Sequence, residues 1–445
     1  MSGDLQDWID CEFRYAATAM LRSVSAVDLV QQRPGFAQTV RPARGSIIAS
    51  PVPGAYDPDP DYFFHWFRDS AVVVEALRML VEARAIGDEA YAHFADFIGF
   101  SRSLSALDGR ALVADSRWRD AVAADFTQFV RDDAELSQVH GAALVAETRV
   151  NPDGRLDISK WARPQHDGPP LRALAVLRWL ARIAPDAATA AEAAALVGDD
   201  LAFTAAHWRT PSFDIWEEER GLHYYTLRVS AAALDEGAQC LRANGDHETA
   251  QRYRDEAATI LRTLDGYWLA DVGHYRSRVL DGGARSAKEL DIAVILAAIH
   301  AAPDAPAGAA HSAADPRMHA TLARLEALFD AAYPINRARA EDRGVAMGRY
   351  DGDVYYSGGA YYFSTLGAAE FCYRAARTSA DRHAWLARGD GFLETVRAYT
   401  PASGELSEQF DRRDGRQTSA RHLAWSYAAF ISCVAARRQA MADRA

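Results

Sequence analysis

Two glutamate-bearing segments of the sequence carry the residue types that hydrolysis of a glycosidic bond requires. One reads FDIWEEERG and has glutamates at 217–219 directly after Trp216, and the other reads GELSEQFD and contains Glu408. The reaction needs one protonated carboxylic acid at the leaving oxygen and one carboxylate that activates water or attacks the anomeric carbon. Like charges crowded beside a tryptophan favour keeping one glutamate protonated. Taken alone, however, a run of three glutamates is more typical of a solvated approach to a helix.

Aromatic, guanidinium and carboxylate residues are concentrated in five segments, near 57–70, 157–169, 213–221, 347–359 and 403–415. Sugars present apolar C–H faces and rims of hydroxyl groups, so flat rings combined with bidentate polar groups recognise them. For any single residue, core packing or a surface ion pair explains the pattern equally well. Together the segments predict a pocket for a neutral carbohydrate, lined by Tyr62, Trp66, Trp161, Trp216, Tyr355 and Tyr356, with Arg68, Asp69, Arg163, Asp167, Arg349 and Asp353.

The chain that must position these residues is predicted to be mainly α-helical, because apolar residues recur at helical spacing and seldom alternate. Stretch 107–150 fits no regular helix pair and is interpreted as an elaborated connector. The twelve predicted helices span 5–22, 68–84, 88–106, 169–184, 190–208, 225–243, 247–271, 286–302, 316–333, 360–377, 382–398 and 418–438.

The predicted helices are of two kinds, which indicates their arrangement. The third, seventh and eleventh have one apolar stripe and one charged face, as outer helices do. The second, fourth, tenth and twelfth are apolar or small on nearly every side, which a helix tolerates only when protein surrounds it. This alternation predicts an all-α fold, an (α/α)6 barrel of six consecutive helix pairs, with residues 1–445 forming one domain. Its connectors would bring the five segments to one mouth. An irregular multi-helix α domain is the alternative.

The composition argues against several kinds of partner. The formal net charge is −12 and no cluster of Lys and Arg occurs, so neither nucleic acid nor an anionic membrane is an expected partner. The four cysteines are scattered singly, without histidines at metal-ligand spacing, and we expect neither a metal nor a cofactor. No uninterrupted apolar run has the length of about 18 residues that a membrane span needs.

The N-terminal segment MSGDLQDWIDCEFRY is acidic and amphipathic, without the basic start and apolar run of a secretory signal. We therefore expect a cytoplasmic location. A secreted protein whose leader had been removed would look the same, and that alternative stays open.

Ordered motifs from about Gly45 to Arg438 resemble those of glycoside hydrolase family 15, the glucoamylases. PDYFFHWFRDS is similar to the family's PDYFYTWTRDS, and WARPQHDGPPLRA to its WGRPQRDGPALRA. DIWEE, GRYDGDVYYSGGAYYFSTL and GELSEQFDRRDGRQTSARHLAWSYAAF each resemble the corresponding family segment. The resemblance implies an (α/α)6 barrel, which agrees with the helix-pair interpretation. It covers the family's catalytic domain alone, with neither a starch-binding module nor a β-sandwich domain, so we expect little action on raw starch.

The resemblance also implies a role for individual residues. Glu217 corresponds to the family's general acid and Glu408 to its general base. Arg68 and Asp69 would bind hydroxyls of the terminal non-reducing glucose, with Arg349 on the opposite wall. The other implied substrate-binding residues are Glu218, which would contact the sugar on the reducing side of the cleaved bond, and Tyr62, Trp66, Trp161 and Tyr355, which would pack around the rings.

The activity that the resemblance implies is exo-acting, inverting hydrolysis that releases β-D-glucose from non-reducing ends of α-1,4-glucans or maltooligosaccharides. Inversion by a single displacement requires the two carboxyl groups to lie about 6.5–9.5 Å apart, which leaves room for the attacking water. Family members that prefer α-1,6 linkages or hydrolyse trehalose are alternatives, since Asp351, Gly352, Ser357 and Ala162 depart from the family pattern at the rim. A non-catalytic, sugar-binding regulatory domain is an alternative of another class, marked by loss of a catalytic carboxylate. A helical-barrel epimerase or lyase would instead need His or Tyr bases.

Overall fold

Twelve helices of nine or more residues dominate the computed structural model, which describes residues 4–54, 59–337 and 339–442. Residues 57 and 58 of the first predicted site segment lie outside the described part of the chain. The long helices are α1 (Leu5–Leu21), α2 (Phe67–Glu82), α3 (Glu89–Ser103), α4 (Gly168–Arg182), α5 (Ala187–His207), α6 (Tyr224–Ala243), α7 (His247–Asp265), α8 (Ala293–Ala301), α9 (Pro316–Ala332), α10 (Tyr362–Ala376), α11 (Arg382–Tyr399) and α12 (Ala424–Ala442).

The even-numbered helices form a closed inner ring. Each contacts the next, from α2 through α4, α6, α8 and α10 to α12, and α12 returns to α2. Each odd-numbered helix packs outside this ring: α1 against α12, α3 against α2 and α5, α5 against α4 and α6, α7 against α6, α9 against α8 and α11 against α10. This arrangement is an (α/α)6 barrel, and the predicted fold class is confirmed.

The inner and outer positions follow from the distribution of apolar residues along each helix. Every residue of α10 is buried, as befits a helix with protein on all sides. Helix α7 buries only a stripe at helical spacing, and none of its charged residues belongs to that stripe, so it packs by one face. Gly367 on α10 allows a close approach of two inner helices, since a Cβ there would lie 2.5 Å from Leu296 Cδ2 of α8.

Three predicted helix ends are wrong by six residues or more, each for a local reason. Helix α7 ends at Asp265, and the chain then forms the hairpin of Trp268–Leu269 with His274–Tyr275. Helix α8 begins only at Ala293, whose N–H donates to Asp291 Oδ1 at 2.8 Å. Helix α12 begins at Ala424 because Ser419 and His422, at φ 65° and 51°, have left-handed backbone.

Short antiparallel strands stiffen the connectors that precede the inner helices. Three pairs are two-stranded, and two groups have three strands, ordered as written here. The pairs are Gln31–Arg33 with Gln38–Val40, His65–Trp66 with Arg149–Val150, and Trp268–Leu269 with His274–Tyr275; the groups are Ser212–Phe213, Arg220–His223 and Arg278–Leu280, and Ala360–Tyr361, Gln409–Phe410 and Gln417–Thr418.

The stretch 107–150 is an elaborated connector between α3 and α4, as predicted. Its Val130 packs in a small apolar cluster with Phe36 and Ile158, which lie on either side of the stretch in the sequence. Its elements are the short α-helices Gly109–Ala114, Arg117–Asp120 and Asp133–Leu136 and the 3-10 helices Thr127–Phe129 and Gly141–Ala146. Elsewhere the chain forms the short 3-10 helices Pro34–Phe36, Leu104–Ala106 and Asp281–Gly283 and the short α-helix Pro334–Arg337. Over the described ranges, none of the helices is both long and apolar enough to cross a membrane.

Glu12 on α1 is a buried carboxyl group that makes stability depend on pH. Burial raises its pKa to about 8 from 4.5, and its Oε1 has no hydrogen-bond partner within the described residues. The folded state therefore keeps the proton that the unfolded chain releases above pH 4.5, and stability is lost as pH rises from there through about 8.

We expect Glu12→Gln to remove part of this loss, so that the variant is more stable than the wild type at pH 8 by roughly 1–3 kcal/mol and similar to it at pH 4. Urea unfolding at both pH values measures the difference. Asp7→Asn, on an exposed site of the same helix, is the control and should leave the pH dependence as it is. Parallel pH profiles for Glu12→Gln and the wild type would contradict the expectation.

Candidate active site

One cavity of about 230 Å³ opens among the connectors at the N-terminal ends of the inner helices. Five separate connectors contribute to its wall, although they are far apart in the sequence. The structure brings together at this cavity all ten residues proposed from the sequence for catalysis and substrate binding, namely Tyr62, Trp66, Arg68, Asp69, Trp161, Glu217, Glu218, Arg349, Tyr355 and Glu408.

Apolar residues that the sequence analysis did not single out close the inner end of the cavity. Phe363 and Trp425 stack with ring centres 4.4 Å apart and planes 9° apart, and the Trp216 ring lies parallel to Trp425 at 6.4 Å. Phe363 and Trp425 also line a second, separate chamber deeper in the barrel, so their rings divide the two spaces. The sequence signal for them was their place in the first turn of an inner helix, where Arg68 and Asp69 also lie.

The tight turn 214–219 presents Glu217 to the cavity. It joins strands Ser212–Phe213 and Arg220–His223, and Asp214 Oδ1 accepts the N–H groups of Glu218 and Glu219 at 2.8 and 3.3 Å. Glu217 itself has a φ of 64°, a left-handed conformation that costs a non-glycine residue energy and persists where the surroundings fix it. The buried Arg278 braces the turn through a 2.5 Å ion pair with Asp214.

Three donors converge on the carboxylate of Glu217. Trp66 Nε1 donates to Oε1 at 2.9 Å, Arg68 Nη2 donates to the same oxygen at 3.1 Å, and Trp161 Nε1 donates to Oε2. Each of the two oxygens is therefore held in a fixed direction, which is the orientation that a group transferring a proton within the cavity requires.

The three consecutive glutamates do not crowd one another. Glu218 pairs with Arg349 at 3.0 Å and Lys288 at 2.7 Å, while Glu219 pairs with Arg278 at 2.9 Å. Each carboxylate thus has its own cationic partner, so the crowding from which we predicted a protonated glutamate is absent. Lys288 is a neighbour of the site that the sequence analysis missed.

Glu408 lies on the opposite connector, just before strand Gln409–Phe410. Tyr62 donates its hydroxyl to Oε1 at 3.2 Å, Ser419 donates to Oε2, and the hydroxyls of Tyr62 and Tyr355 are 2.8 Å apart. Burial raises the pKa of Glu408 to about 7, while the hydrogen bonds from Ser419 and Tyr62 and the charge of Arg349 oppose that rise. The carboxyl group therefore titrates near neutrality.

Arg68 and Asp69 lie side by side in the first turn of α2, with Arg68 Nη2 3.2 Å from Asp69 Oδ2. Both side chains are buried, and Arg68 Nε and Nη1 have no hydrogen-bond partner in the part of the chain that the structure describes. Buried polar groups in native proteins are nearly always hydrogen-bonded to protein or water. Nη1 lies 3.6 Å from Asp167 Oδ2 behind the wall, so the guanidinium group is held among the carboxylates of Asp69, Asp167 and Glu217.

Four residues predicted to line the pocket lie behind or beside it instead. Arg163 is paired with Glu147 and Asp157, at 2.8 Å each. The others are Asp353, which holds Arg349 through bonds of 2.7 and 2.6 Å; Asp167, buried 3.6 Å from Arg68; and Tyr356, exposed beside the Tyr355 ring. The three charged residues among these four form ion pairs with the arginines that line the cavity or with residues beside them. These ion pairs lie behind the wall and do not reach the cavity.

The Ser419 hydrogen bond makes the pH dependence of the site testable. A base must be ionised to act, so kcat/KM is expected to fall as pH drops through the pKa of Glu408, about 7. Ser419→Ala removes a donor that lowers this pKa, so the acidic limb should move to higher pH by roughly one unit. The pH profile of kcat/KM measures the shift. Ser357→Ala, whose hydroxyl donates to Gln409 Oε1 and not to Glu408 among the described residues, is the control. A limb that moves to lower pH or stays in place would contradict the expectation.

The sequence is similar to a known family of enzymes and to several of its members. The model of the family described as Glycosyl hydrolases family 15 matches residues 25–99, 145–388 and 383–435. A glucoamylase of Neurospora crassa is 32% identical over 320 residues, which are 62% of this chain and 50% of that protein. Glucoamylase-1 of Arthroderma benhamiae is 30% identical over 442 residues, which cover 88% of this chain and 65% of that protein. The chain thus spans between half and about two thirds of these relatives.

A solved structure agrees with the sequence comparisons. The family 15 glucoamylase from Hypocrea jecorina superposes on this chain with a TM-score of 0.77 at 25% identity, covering 98% of this chain and 73% of that one. The family model covers most of the barrel, including the connectors that carry Glu217 and Glu408. The chain therefore belongs to glycosyl hydrolases family 15.

Proposed function

We propose that this protein is an exo-acting, inverting α-glucoside hydrolase that releases β-D-glucose from the non-reducing ends of maltooligosaccharides or other α-1,4-glucans. The observation that carries the proposal is the presence of two held carboxyl groups, Glu217 and Glu408, on one carbohydrate-sized cavity. Relatives named glucoamylases support the same substrate class.

Glu217 serves as the general acid in the proposed reaction. It protonates the glycosidic oxygen as the bond from that oxygen to the anomeric carbon breaks, and the leaving sugar departs with this proton. The indole N–H groups of Trp66 and Trp161 keep the carboxyl group directed at that oxygen. Arg68 donates to Glu217 Oε1 at 3.1 Å and stabilises the carboxylate that remains after the transfer.

Glu408 serves as the general base. It removes one proton from a water molecule, whose oxygen forms the new bond to the anomeric carbon from the face opposite the leaving group. A carboxyl group that titrates near pH 7 is well matched to proton transfer near neutral pH. The hydroxyl groups of Ser419 and Tyr62 fix its direction.

The shape of the cavity supports cleavage from the chain end. Phe363 and Trp425 close its inner end, so a glucan cannot pass through it. Arg68 and Asp69 offer a buried, bidentate pair to the hydroxyls of one terminal glucose unit. A single glucose unit would therefore lie between the closed inner end and the bond that is cleaved, and the rest of the chain would extend through the mouth.

Glucose release with anomer assignment by NMR tests the proposal. The substrates are maltose, maltotriose, isomaltose, isomaltotriose and trehalose, each with the wild type, Glu217→Gln and Glu408→Gln. We expect β-glucose from the maltose series and its disappearance in both variants. Fastest release from isomaltose or trehalose would replace the α-1,4 assignment, α-glucose as first product would refute inversion, and binding of maltose without any turnover would indicate a non-catalytic sugar-binding domain.

A further inference from the structure

A lysine outside the cavity wall holds the carboxylate of Glu218. Lys288 Nζ lies 2.7 Å from Glu218 Oε2 and 4.6 Å from the ring centre of Tyr350. Tyr350 donates its hydroxyl to the same oxygen, and Arg349 Nη2 donates to Oε1 at 3.0 Å. Three donors thus fix the two oxygens of a carboxylate that lines the cavity.

The backbone around Lys288 is tied to the turn that carries the glutamates. Ser286 Oγ accepts the N–H of Lys288 at 2.9 Å and donates to Glu219 Oε2 at 2.7 Å. Ser277 Oγ donates to the carbonyl oxygen of Lys288 at 2.9 Å. The lysine is therefore held in register with Glu218 rather than placed on a free surface loop.

The carboxylates of Glu218 and Asp353 carry two negative charges, and Arg349 supplies only one positive charge to balance them. Arg349 is already paired with Asp353 through bonds of 2.7 and 2.6 Å, so its charge is shared between two carboxylates. Lys288 supplies the second positive charge. The side chains of Lys288 and Glu218 are 26% and 25% exposed, a setting in which a paired charge is only partly screened by water.

We propose that Lys288 is a positioning residue that determines how strongly the site binds the departing sugar. This inference rests on the proposed function, in which Glu218 contacts the sugar on the reducing side of the cleaved bond. By orienting and neutralising Glu218, Lys288 presents the free lone pairs of that carboxylate to the hydroxyl groups of the leaving sugar. The terminal glucose unit, bound at Arg68 and Asp69, does not depend on it.

A pair of substrates separates these two positions. One is the disaccharide that the wild type cleaves fastest, and the other is α-D-glucosyl fluoride, which carries the same glucose unit but no leaving sugar. For Lys288→Met we expect kcat/KM to fall about tenfold with the disaccharide and to change less than about twofold with the fluoride. Lys288→Arg should recover most of the disaccharide activity, because it restores the charge. In a Glu218→Gln background, Lys288→Met should have no further effect.

Lys160→Met is the matched control, because Lys160 is the only other lysine of the sequence and is exposed. It should change neither rate. An equal fall of Lys288→Met with both substrates, or no fall with the disaccharide, would overturn the inference while leaving the proposed function intact. A wild type that hydrolyses neither substrate would overturn the proposed function, and this inference with it.

Discussion

Glu217→Gln is expected to lower kcat for maltose by about 10³-fold, while hydrolysis of α-D-glucosyl fluoride falls far less. A sugar alkoxide cannot leave without a proton, whereas fluoride is a good leaving group that departs with little help from a general acid. The difference between the two substrates therefore reports acid catalysis itself and not a general loss of the site. Steady-state rates with both substrates, at matched pH, give the ratio.

The substitution is expected to leave the fold in place. Arg68 keeps two carboxylates, Asp69 at 3.2 Å and Asp167 at 3.6 Å, so removing the charge of Glu217 does not leave it unpaired. The amide oxygen of the substituted side chain can still accept the Trp66 N–H. An unchanged midpoint of thermal unfolding is the control. Equal losses with maltose and the fluoride would contradict the assignment of Glu217 as the acid.

Glu408→Gln is expected to abolish hydrolysis of maltose and of α-D-glucosyl fluoride alike, with kcat lower by about 10³-fold or more for each. Both reactions need a deprotonated water, and an amide cannot accept its proton. The acidic limb of the pH profile, which the wild type should show near the pKa of Glu408 at about 7, should disappear from any residual activity.

The result that would contradict these roles is the opposite effect of the two variants on hydrolysis of the fluoride. If Glu408→Gln retained fluoride hydrolysis and Glu217→Gln lost it, the acid and base roles would have to be exchanged. The amide carbonyl that replaces the Glu408 carboxylate can still accept from Ser419 and Tyr62, so the variant should bind maltose with an affinity close to that of the wild type. Ser357→Ala, at the rim beside Gln409, is the control for effects of local repacking.

Much of this fold could be predicted because its signals are local. The all-round apolar composition of α10 and the one-sided stripe of α7 are properties of single helices, and they already separate inner from outer positions. The predicted starts of α8 and α12 were wrong because a capping side chain and left-handed backbone residues, not apolar periodicity, set where these helices begin. Asp291 caps α8 from outside it, and the left-handed residues Ser419 and His422 delay α12.

The candidate site, too, could be predicted only in part. The residue types in the five connectors indicated carbohydrate chemistry, and the ten proposed residues do meet at one cavity. The residues that hold each carboxylate could not be predicted, because neighbours in sequence need not be neighbours in space. Glu217 and Glu218 point to different partners, whereas Tyr62 and Glu408, 346 positions apart, are hydrogen-bonded.

The sequence by itself determined the helix pairs, the small and apolar inner helices and the stock of glutamate, arginine and aromatic residues between them. Only the tertiary structure decided that Trp66, Arg68 and Trp161 hold Glu217, that Phe363 and Trp425 close the cavity, and that Lys288 reaches Glu218. The physical reason is that helical periodicity is set by neighbours along the chain. The distances between side chains of different connectors exist only once the ring of inner helices closes.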